Sequence, residues 1–289
     1  LRICHEQGCS VAVQGGLTGL AGGANALEGE VALSLSRLDG IEEVDAVAGI
    51  AIVQAGVTLE RVQQACADQG WTFPLDLGAR GSCQLGGNAA TNAGGSRVLR
   101  YGMMRNLVLG LEVVLADGTV PTMLDRVIKN NAGFDLKQLF IGSEGALGVI
   151  TRLSLMLAPK PTQQCTVLCG VQSFNDALQL LRRSKASLQG LSAFEVMWNS
   201  YFDASIEAQG KSSPLPSRYP VYALVESVGS DGMDAAASME GFLEQAIESG
   251  LVADAVVAQT GPQQDELWAI REGVSELLDA QGQVVGRGY

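Results

Sequence analysis

Three glycine-rich segments constrain the fold of this chain more than any other feature of its sequence. Five of the nine residues from Gly15 to Gly23 are glycine, residues 77–95 read LGARGSCQLGGNAATNAGG, and IGSEGALG follows at 141–148. Glycine loses more backbone entropy on folding than any other residue, so such clusters need a structural reason. A missing Cβ lets main chain approach a ligand closely, and freed N–H groups can converge on an anion. We therefore expect these segments to line a binding site.

Two familiar nucleotide-binding motifs do not fit the first segment. QGGLTG at residues 14–19 could hold a pyrophosphate, but no glycine cluster is followed by the Gly-Lys-Ser/Thr of a Walker A loop. A dinucleotide-binding fingerprint needs Gly-x-Gly-x-x-Gly between a strand and a long helix. The spacing from Gly16 to Gly19 breaks that pattern, and VALSLSRL at 31–38 alternates as a strand does. For any single cluster, a tight turn without a ligand is the alternative.

The composition favours small molecules and proteins as binding partners. A net charge of −12 argues against nucleic acid and against an anionic membrane surface, because both need clustered Lys and Arg. No apolar run approaches the roughly 20 residues that span a bilayer. One histidine, His5, gives no recognisable zinc site. Six cysteines without a C-x-x-C pair predict free thiols in a reducing compartment, and they are Cys4, Cys9, Cys66, Cys83, Cys165 and Cys169.

The order of predicted elements changes near Pro159 and Pro161. Proline cannot continue the hydrogen bonding of a central strand, so we expect a boundary there. Beyond it, a strand–helix–strand pattern occurs twice, which is typical of a ferredoxin-like domain. These patterns predict an α+β fold with two domains, residues 1–158 and 159–289.

Four segments resemble, in order, the FAD-binding domain of the vanillyl-alcohol oxidase (PCMH-type) flavoproteins. They are QGGLTGLAGG (14–23), PLDLGARGSCQLGGNAATNAGG (74–95), LRYGMMRNLVLGLEVVLADG (99–118) and DLKQLFIGSEGALGVIT (135–151). The segments LSAFEVM (191–197) and LWAIREGVSELL (267–278) resemble the D-2-hydroxyglutarate dehydrogenases within that family more than their D-lactate dehydrogenase and glycolate oxidase relatives.

This resemblance implies a fold and a reaction. The fold would be a PCMH-type FAD-binding domain followed by a ferredoxin-like α+β substrate domain. The reaction would be FAD-dependent oxidation of a D-2-hydroxy acid by hydride transfer to the flavin N5, with D-2-hydroxyglutarate giving 2-oxoglutarate. D-lactate or glycolate as the substrate, and a non-catalytic flavin-binding remnant, are the alternatives.

The resemblance also implies which residues hold a non-covalent FAD. The pyrophosphate would be surrounded by Gly15, Gly16, Leu17, Thr18 and Gly19, where Leu17 replaces the usual Asn. The pyrophosphate, ribityl chain and isoalloxazine would be lined by Pro74, Gly78, Ser82, Gly86, Gly87, Asn88, Thr91, Asn92 and Gly94. The third segment would close over the cofactor with Glu144, Gly148 and Ile150. We expect His5 to be a surface residue rather than a covalent tether.

Arg271 is the candidate cation for the carboxylate of the substrate. Guanidinium matches a carboxylate through two parallel hydrogen bonds. Ser275 lies four residues later, hence on the same face of a helix predicted over 263–281. The family has Arg and Thr at these positions as substrate ligands, so Ser275 is a departure. The alternative is that Arg271 pairs with Glu272 or Asp265 on an exposed face.

In the resembled family, the catalytic base and the metal ligands follow the region present in this sequence. We therefore expect a fragment that lacks both ends and does not turn over alone, with a divalent metal, zinc, only in the full-length protein. Where the family has a substrate lysine, this sequence has Gly286, next to Arg287.

The remaining expectations concern the cellular setting. Electrons would pass to a carrier protein or a quinone. A bacterial cytoplasm or a mitochondrial matrix would suit the free thiols. A homodimer is compatible with the sequence.

Overall fold

The computed structural model describes residues 1–230, 232–273 and 277. Within them the chain divides into two compact units, of which the first is Leu1–Lys160 and the second begins at Pro161. Among these residues, no helix is long and apolar enough to cross a membrane.

The first unit is built from short strands and short helices. In chain order they are α1 (Arg2–Glu6), β1 (Val11–Gln14), β2 (Val31–Ser34), β3 (Ile41–Asp45), β4 (Ile50–Gln54), α2 (Leu59–Ala67), β5 (Trp71–Thr72), α3 (Leu85–Ala90), α4 (Val98–Tyr101), α5 (Met104–Leu107), β6 (Val108–Val114), β7 (Thr122–Met123), α6 (Lys137–Phe140), β8 (Val149–Met156) and β9 (Ala158–Pro159). Five strands form an antiparallel sheet in the order β3-β4-β8-β6-β7. Strands β1 and β2 form a separate parallel pair.

The core of the first unit lies against this sheet. Strand β4 is buried at four of its five positions, and β6 and β8 contribute Leu111 and Leu155, both fully buried. Helix α2 turns Leu59, Val62 and Cys66 towards this core, at the spacing of one helical face. The glycine-rich segments connect to the ends of these core elements. The core therefore determines the positions at which the segments begin and end.

The second unit is a four-stranded antiparallel sheet with two pairs of helices. Its elements are β10 (Gln163–Val171), α7 (Phe174–Ser187), β11 (Leu191–Trp198), α8 (Asn199–Ala208), β12 (Val221–Gly229), α9 (Ala235–Glu248), β13 (Asp254–Val257) and α10 (Gly261–Glu272). The strand order is β11-β12-β10-β13, with every neighbouring pair antiparallel. Because α7 connects β10 to β11 and α9 connects β12 to β13, this is the ferredoxin-like arrangement that the sequence predicts.

The two faces of this sheet bury different helices. Val167, Ala223 and Val225 pack in one core cluster with residues of α7 and α9. Leu168 and Leu224, which alternate with them along the strands, pack in another cluster with residues of α8 and α10. The second cluster places α10, which carries Arg271, against the sheet.

Candidate functional site

The structure brings the three glycine-rich segments together around α3. We call residues 15–23 the first loop, 77–95 the second loop and 142–148 the third loop; α3 lies within the second. The amides of Gly142 and Glu144 donate to the carbonyl oxygens of Ala89 and Ala90, at 3.0 and 2.8 Å. The third loop is thus fastened to the end of α3 by main-chain hydrogen bonds.

The first loop approaches the second just as closely. A Cβ on Gly16 would overlap the carbonyl oxygen of Ser82, so the two main chains lie directly against each other. A Cβ on Gly15 would lie 3.7 Å from the Cα of Gly87. Glycine is therefore required at position 16 by the contact between loops, independently of any ligand.

Each loop also holds one non-glycine residue in the left-handed region. The φ angles are 55° for Leu17, 49° for Asn92 and 53° for Glu144, and no other described non-glycine residue has a positive φ. Such conformations are uncommon for residues with a Cβ and concentrate at functional sites. Each of the three loops contains one of these left-handed residues, and the loops meet at α3. We therefore take this junction as the candidate site.

Main-chain donors at the junction are free to bind a ligand. Within the described part of the chain, none of the amides from Gly15 to Gly23 donates a hydrogen bond to another protein group, and neither does the amide of Gly87. A Cβ on Gly19, Gly78 or Gly87 would meet no atom within 4 Å. Convergent free N–H groups beside open space suit a pyrophosphate, so these residues fit the FAD that the sequence predicts.

One buried acceptor at the junction also lacks a partner. The side-chain oxygen Oε1 of Gln84, just before α3, is buried without a hydrogen bond among the described residues. It lies 3.6 Å from the position that a Cβ on Gly15 would take. An unpaired buried amide is costly, and a bound ligand with a hydroxyl or N–H group would satisfy it.

Five of the predicted cofactor residues are buried, among them Gly86, Gly148 and Ile150. The Gly86 amide donates to the Ala55 carbonyl at 2.8 Å, and a Cβ there would lie 2.6 Å from the Ala55 Cβ. A Cβ on Gly148 would lie 2.6 Å from Cγ1 of Val113. Ile150 is 4% exposed, within the core of the first unit.

The other predicted residues of the second loop differ in exposure. Ser82, Gly78, Thr91 and Gly94 are exposed, whereas Pro74 is buried. The Thr91 hydroxyl donates to the Gly87 carbonyl at 3.0 Å. Asn88 is buried and donates through Nδ2 to Sγ of Cys83 at 3.6 Å. Its side chain therefore braces the loop from inside.

Arg105 is a residue of this site that the sequence did not indicate. Its amide donates to Oδ1 of Asn92 at 2.9 Å, and its guanidinium donates to the carbonyl oxygens of Gln138, at 2.8 Å, and Ile141. Arg105 thereby joins the left-handed residue of the second loop to the segment that enters the third. The guanidinium acceptors are two main-chain carbonyls and Oε1 of Gln138, all more than thirty residues away, and no local pattern predicts such contacts.

Apart from Cys83, which lies in the second loop, the histidine and the thiols are outside the three loops. His5 lies exposed on α1, as expected, and all six cysteines are free. Burial raises the pKa of the Cys66 thiol to about 11 and that of Cys169 to about 12, which keeps both protonated at neutral pH. In residues 1–230, 232–273 and 277, no three His, Cys, Asp or Glu side chains are grouped to hold a metal ion.

In the second unit, Arg271 on α10 pairs with a carboxylate of β11. Its Nε donates to Oε2 of Glu195 at 2.6 Å, and 37% of the Arg271 side chain is exposed. Burial disfavours the charge of Arg271, but Glu195 and Tyr201 together outweigh it, so the pKa of the guanidinium is raised. The partner is thus neither Glu272 nor Asp265. Ser275, Gly286 and Arg287 lie outside the described residues.

Helix α10 is held in place by side chains of α8 and by Gln209, which directly follows α8. The Tyr201 hydroxyl donates to the carbonyls of Arg271 and Ile270, at 2.8 and 3.1 Å, and that of Ser205 donates to Ile270 at 2.7 Å. Gln209 Nε2 donates to the Ala269 carbonyl at 2.9 Å. These contacts satisfy carbonyls that a helix end leaves without intrahelical partners.

Comparison with known proteins yields two family models and a set of related sequences. Residues 1–123 match the model described as FAD binding domain, and residues 160–287 match that described as FAD linked oxidases, C-terminal domain. The chain is 45% identical over 285 residues to the mitochondrial D-2-hydroxyglutarate dehydrogenase of Bos taurus, covering 98% of the chain and 52% of that protein. It is 40% identical over 283 residues to a putative mitochondrial D-lactate dehydrogenase of Schizosaccharomyces pombe, covering 98% and 54%. The chain spans about half the length of these curated relatives.

Solved structures agree on the fold. Alkyldihydroxyacetonephosphate synthase matches with a TM-score of 0.74 at 17% identity, over 96% of this chain and 52% of that one. Substrate-bound p-cresol methylhydroxylase matches with a TM-score of 0.72 at 17% identity, over 93% and 57%. With an FAD binding domain followed by the C-terminal domain of FAD linked oxidases, the chain belongs to the FAD-linked oxidase family of flavoproteins.

Proposed function

We propose that this chain supplies the FAD-binding and carboxylate-binding parts of an enzyme that oxidises D-2-hydroxyglutarate to 2-oxoglutarate. The observation that carries the proposal is the convergence of three glycine-rich loops on α3, each with one left-handed non-glycine residue. The names of the relatives support the substrate, since several D-2-hydroxyglutarate dehydrogenases are 40 to 45% identical to the chain.

The first and second loops would hold the cofactor mainly through main chain. When bound, FAD supplies the acceptor for the hydride that leaves the hydroxyl-bearing carbon. The free amides of Gly15 to Gly19 and of Gly87 would donate to its pyrophosphate. Leu17 would take part through its amide alone, because its side chain has no polar group. Glu144 and Asn92 would contribute from the third and second loops.

Arg271 would bind the carboxylate next to the reacting carbon. Its fixed charge and fork of N–H groups orient a planar carboxylate, and Ser275 would add a hydroxyl. We propose that the proton acceptor and a zinc ion come from a part of the enzyme outside this chain. Electrons would then leave to a carrier protein or quinone, in mitochondria where the eukaryotic relatives are named mitochondrial.

D-lactate is the second candidate substrate. The specific support is the relative from Schizosaccharomyces pombe named as a putative D-lactate dehydrogenase. Both acids present one carboxylate to Arg271, so kcat/KM of the full-length enzyme on each acid distinguishes them. If kcat/KM is higher on D-lactate than on D-2-hydroxyglutarate, the assigned substrate is D-lactate.

The cofactor part of the proposal is tested on the purified chain. We expect flavin absorption bands after incubation with FAD, and we expect acid precipitation to release the yellow colour because the bond is non-covalent. A colourless protein that does not take up FAD would contradict the proposal. So would turnover of D-2-hydroxyglutarate by the chain alone, because the base and the metal are placed elsewhere.

Two matched substitutions locate the FAD site. Gly87→Ala and Gly241→Ala both add a methyl group inside a helix where no atom lies within 4 Å, so both should fold. Only Gly87 lies at the junction of the loops, and a Cβ that overlaps the ligand should weaken FAD binding about tenfold or more. FAD affinity is measured by fluorescence titration. Equal affinity in the two variants would mean that FAD does not bind next to Gly87.

A further inference from the structure

Glu195 is the one charged residue of strand β11. Strand β11 reads LSAFEVMW, and Glu195 pairs in register with Leu224 of β12, a fully buried residue of the cluster that includes α10. Its carboxylate meets Arg271, 76 residues further along the chain, at 2.6 Å. A carboxylate on a strand next to the core needs a hydrogen-bonding or cationic partner. The contact also restricts the orientation of that partner's side chain.

The pair uses only one N–H group of the guanidinium. Glu195 Oε2 accepts from Nε, and neither Nη1 nor Nη2 donates a hydrogen bond to a carboxylate of the described residues, although the Tyr201 hydroxyl lies near the guanidinium. Arginine binds a planar carboxylate bidentately, and the two terminal nitrogens present one such face. The contact through Nε therefore leaves the two terminal nitrogens available to a second carboxylate and restricts the direction in which they point.

The ion pair is not needed to place the helix. Helix α10 is already held by Tyr201, Ser205 and Gln209 at its end. One turn earlier, Trp268 Nε1 donates to Oε2 of the fully buried Glu226 at 2.9 Å. These contacts fix the backbone of α10 but not the long side chain of Arg271, whose ordering has an entropic cost.

We propose that Glu195 is the positioning residue of Arg271 and presents its two terminal nitrogens to the carboxylate of the substrate; this rests on the proposed function. Without Glu195, the guanidinium samples several rotamers and binds the carboxylate less tightly. With Glu195 present, the Arg271 side chain is already partly ordered before the substrate acid binds. The pair is also electrically neutral, so affinity depends on hydrogen-bond geometry more than on net charge.

The test uses the 289-residue chain loaded with FAD and D-2-hydroxyglutarate as the probe. Glu195→Ala removes the acceptor, and the dissociation constant by calorimetry should rise about tenfold, as for loss of one charge-assisted hydrogen bond. Glu195→Gln keeps an oxygen for Nε, so its dissociation constant should stay within about threefold of the wild type. Asp203→Asn, which disrupts an exposed pair with Arg218 on the same unit, is the matched control and should bind as the wild type.

A second readout reports on the side chain itself. The Nε–H resonance of Arg271, assigned with Arg271→Lys, should exchange slowly with water in the wild type and in Glu195→Gln but rapidly in Glu195→Ala. Probe binding should then perturb the terminal nitrogens and leave the Nε–H signal protected.

The outcomes separate the two proposals. Unchanged affinity in Glu195→Ala, or equal loss in both Glu195 variants, overturns the role of Glu195 while Arg271 still binds the acid. A wild type that does not bind the probe although its Nε–H is protected contradicts the function of Arg271, and it reduces the pair to a structural contact.

Discussion

The two units of this protein build their candidate sites from different materials. In the first unit the site consists of main chain: free amides, close main-chain approaches and three left-handed residues. Side chains such as Arg105 hold the loops together by hydrogen bonds. In the second unit, the site is a side chain, Arg271, held by another side chain, Glu195.

This difference determines what each site tolerates. A main-chain site makes few side-chain contacts at exposed positions such as the 61% exposed Leu17, but it rejects a Cβ where two loops touch. A side-chain site depends on both partners, because removal of one leaves the charge of the other unpaired near the interior, which is costly. Substitutions in the two units should therefore fail for different physical reasons.

The largest effect is expected from Gly16→Ala in the first unit. The new Cβ would overlap the Ser82 carbonyl and crowd the Cα of Cys83, so the two loops must separate. We expect a loss of about 3 kcal/mol in unfolding free energy, at the upper end for overpacking, together with loss of FAD binding. Chemical denaturation and FAD titration measure the two effects.

Gly19→Ala is the matched control in the same loop. No atom lies within 4 Å of its Cβ position, so we expect its stability to change by only about 0.5 kcal/mol, as for ordinary surface substitutions. Equal destabilisation by both variants would mean that the first loop does not depend on its contact with Ser82.

A smaller effect is expected from Glu226→Ala in the second unit. The carboxylate is fully buried and accepts from Ser192 at 2.6 Å, Trp268 at 2.9 Å and Gln164 at 2.6 Å. Its removal leaves buried donors without this acceptor, which should cost about 2 kcal/mol of unfolding free energy. FAD affinity of the first unit should be unchanged.

Glu240→Ala provides the comparison for that variant. Glu240 is exposed on α9, so its removal should leave stability within about 0.5 kcal/mol of the wild type. Circular dichroism checks that Glu226→Ala still folds. If it folds but does not bind FAD, the site of the first unit depends on the second unit, contrary to the comparison drawn above.

Much of the fold follows from local patterns. The double strand–helix–strand order predicts the ferredoxin-like sheet, and Asp117-Gly118 predicts the turn between β6 and β7, where Gly118 has a φ of 85°. Ser173 caps α7 by accepting from the amide of Asp176, and serine is among the residues most favoured at that position. These features depend on residues close in sequence, so the sequence alone is sufficient.

The sequence predicted the functional sites less completely, because their contacts are distant. The glycine clusters were visible, but that Gly16 meets Ser82, or that Gly86 and Gly148 pack inward, depends on how separated segments fold together. The partner of Arg271 lies 76 residues away, beyond the neighbouring carboxylates that the sequence suggested. One signal was available, since a lone charged residue, Glu195, in the strand LSAFEVMW implies a cation nearby.

The smallest effect is expected from Glu42→Gln, which tests whether side-chain ion pairs matter to the first unit. Arg152 bridges Glu42 and Glu112 across the sheet, and its hydrogen bond lowers the pKa of Glu42 below the usual 4.5. Because the folded-state pKa is the lower one, the pair stabilises the fold above pH 4.5, and this contribution disappears as the pH falls through the folded-state pKa. Removing the charge should therefore cost about 0.5 kcal/mol at pH 7 and nothing at strongly acidic pH, as usual for a partly exposed pair. Denaturation of wild type and variant across this pH range measures the difference, and FAD affinity should not change, because main chain and not this ion pair forms the site of the first unit.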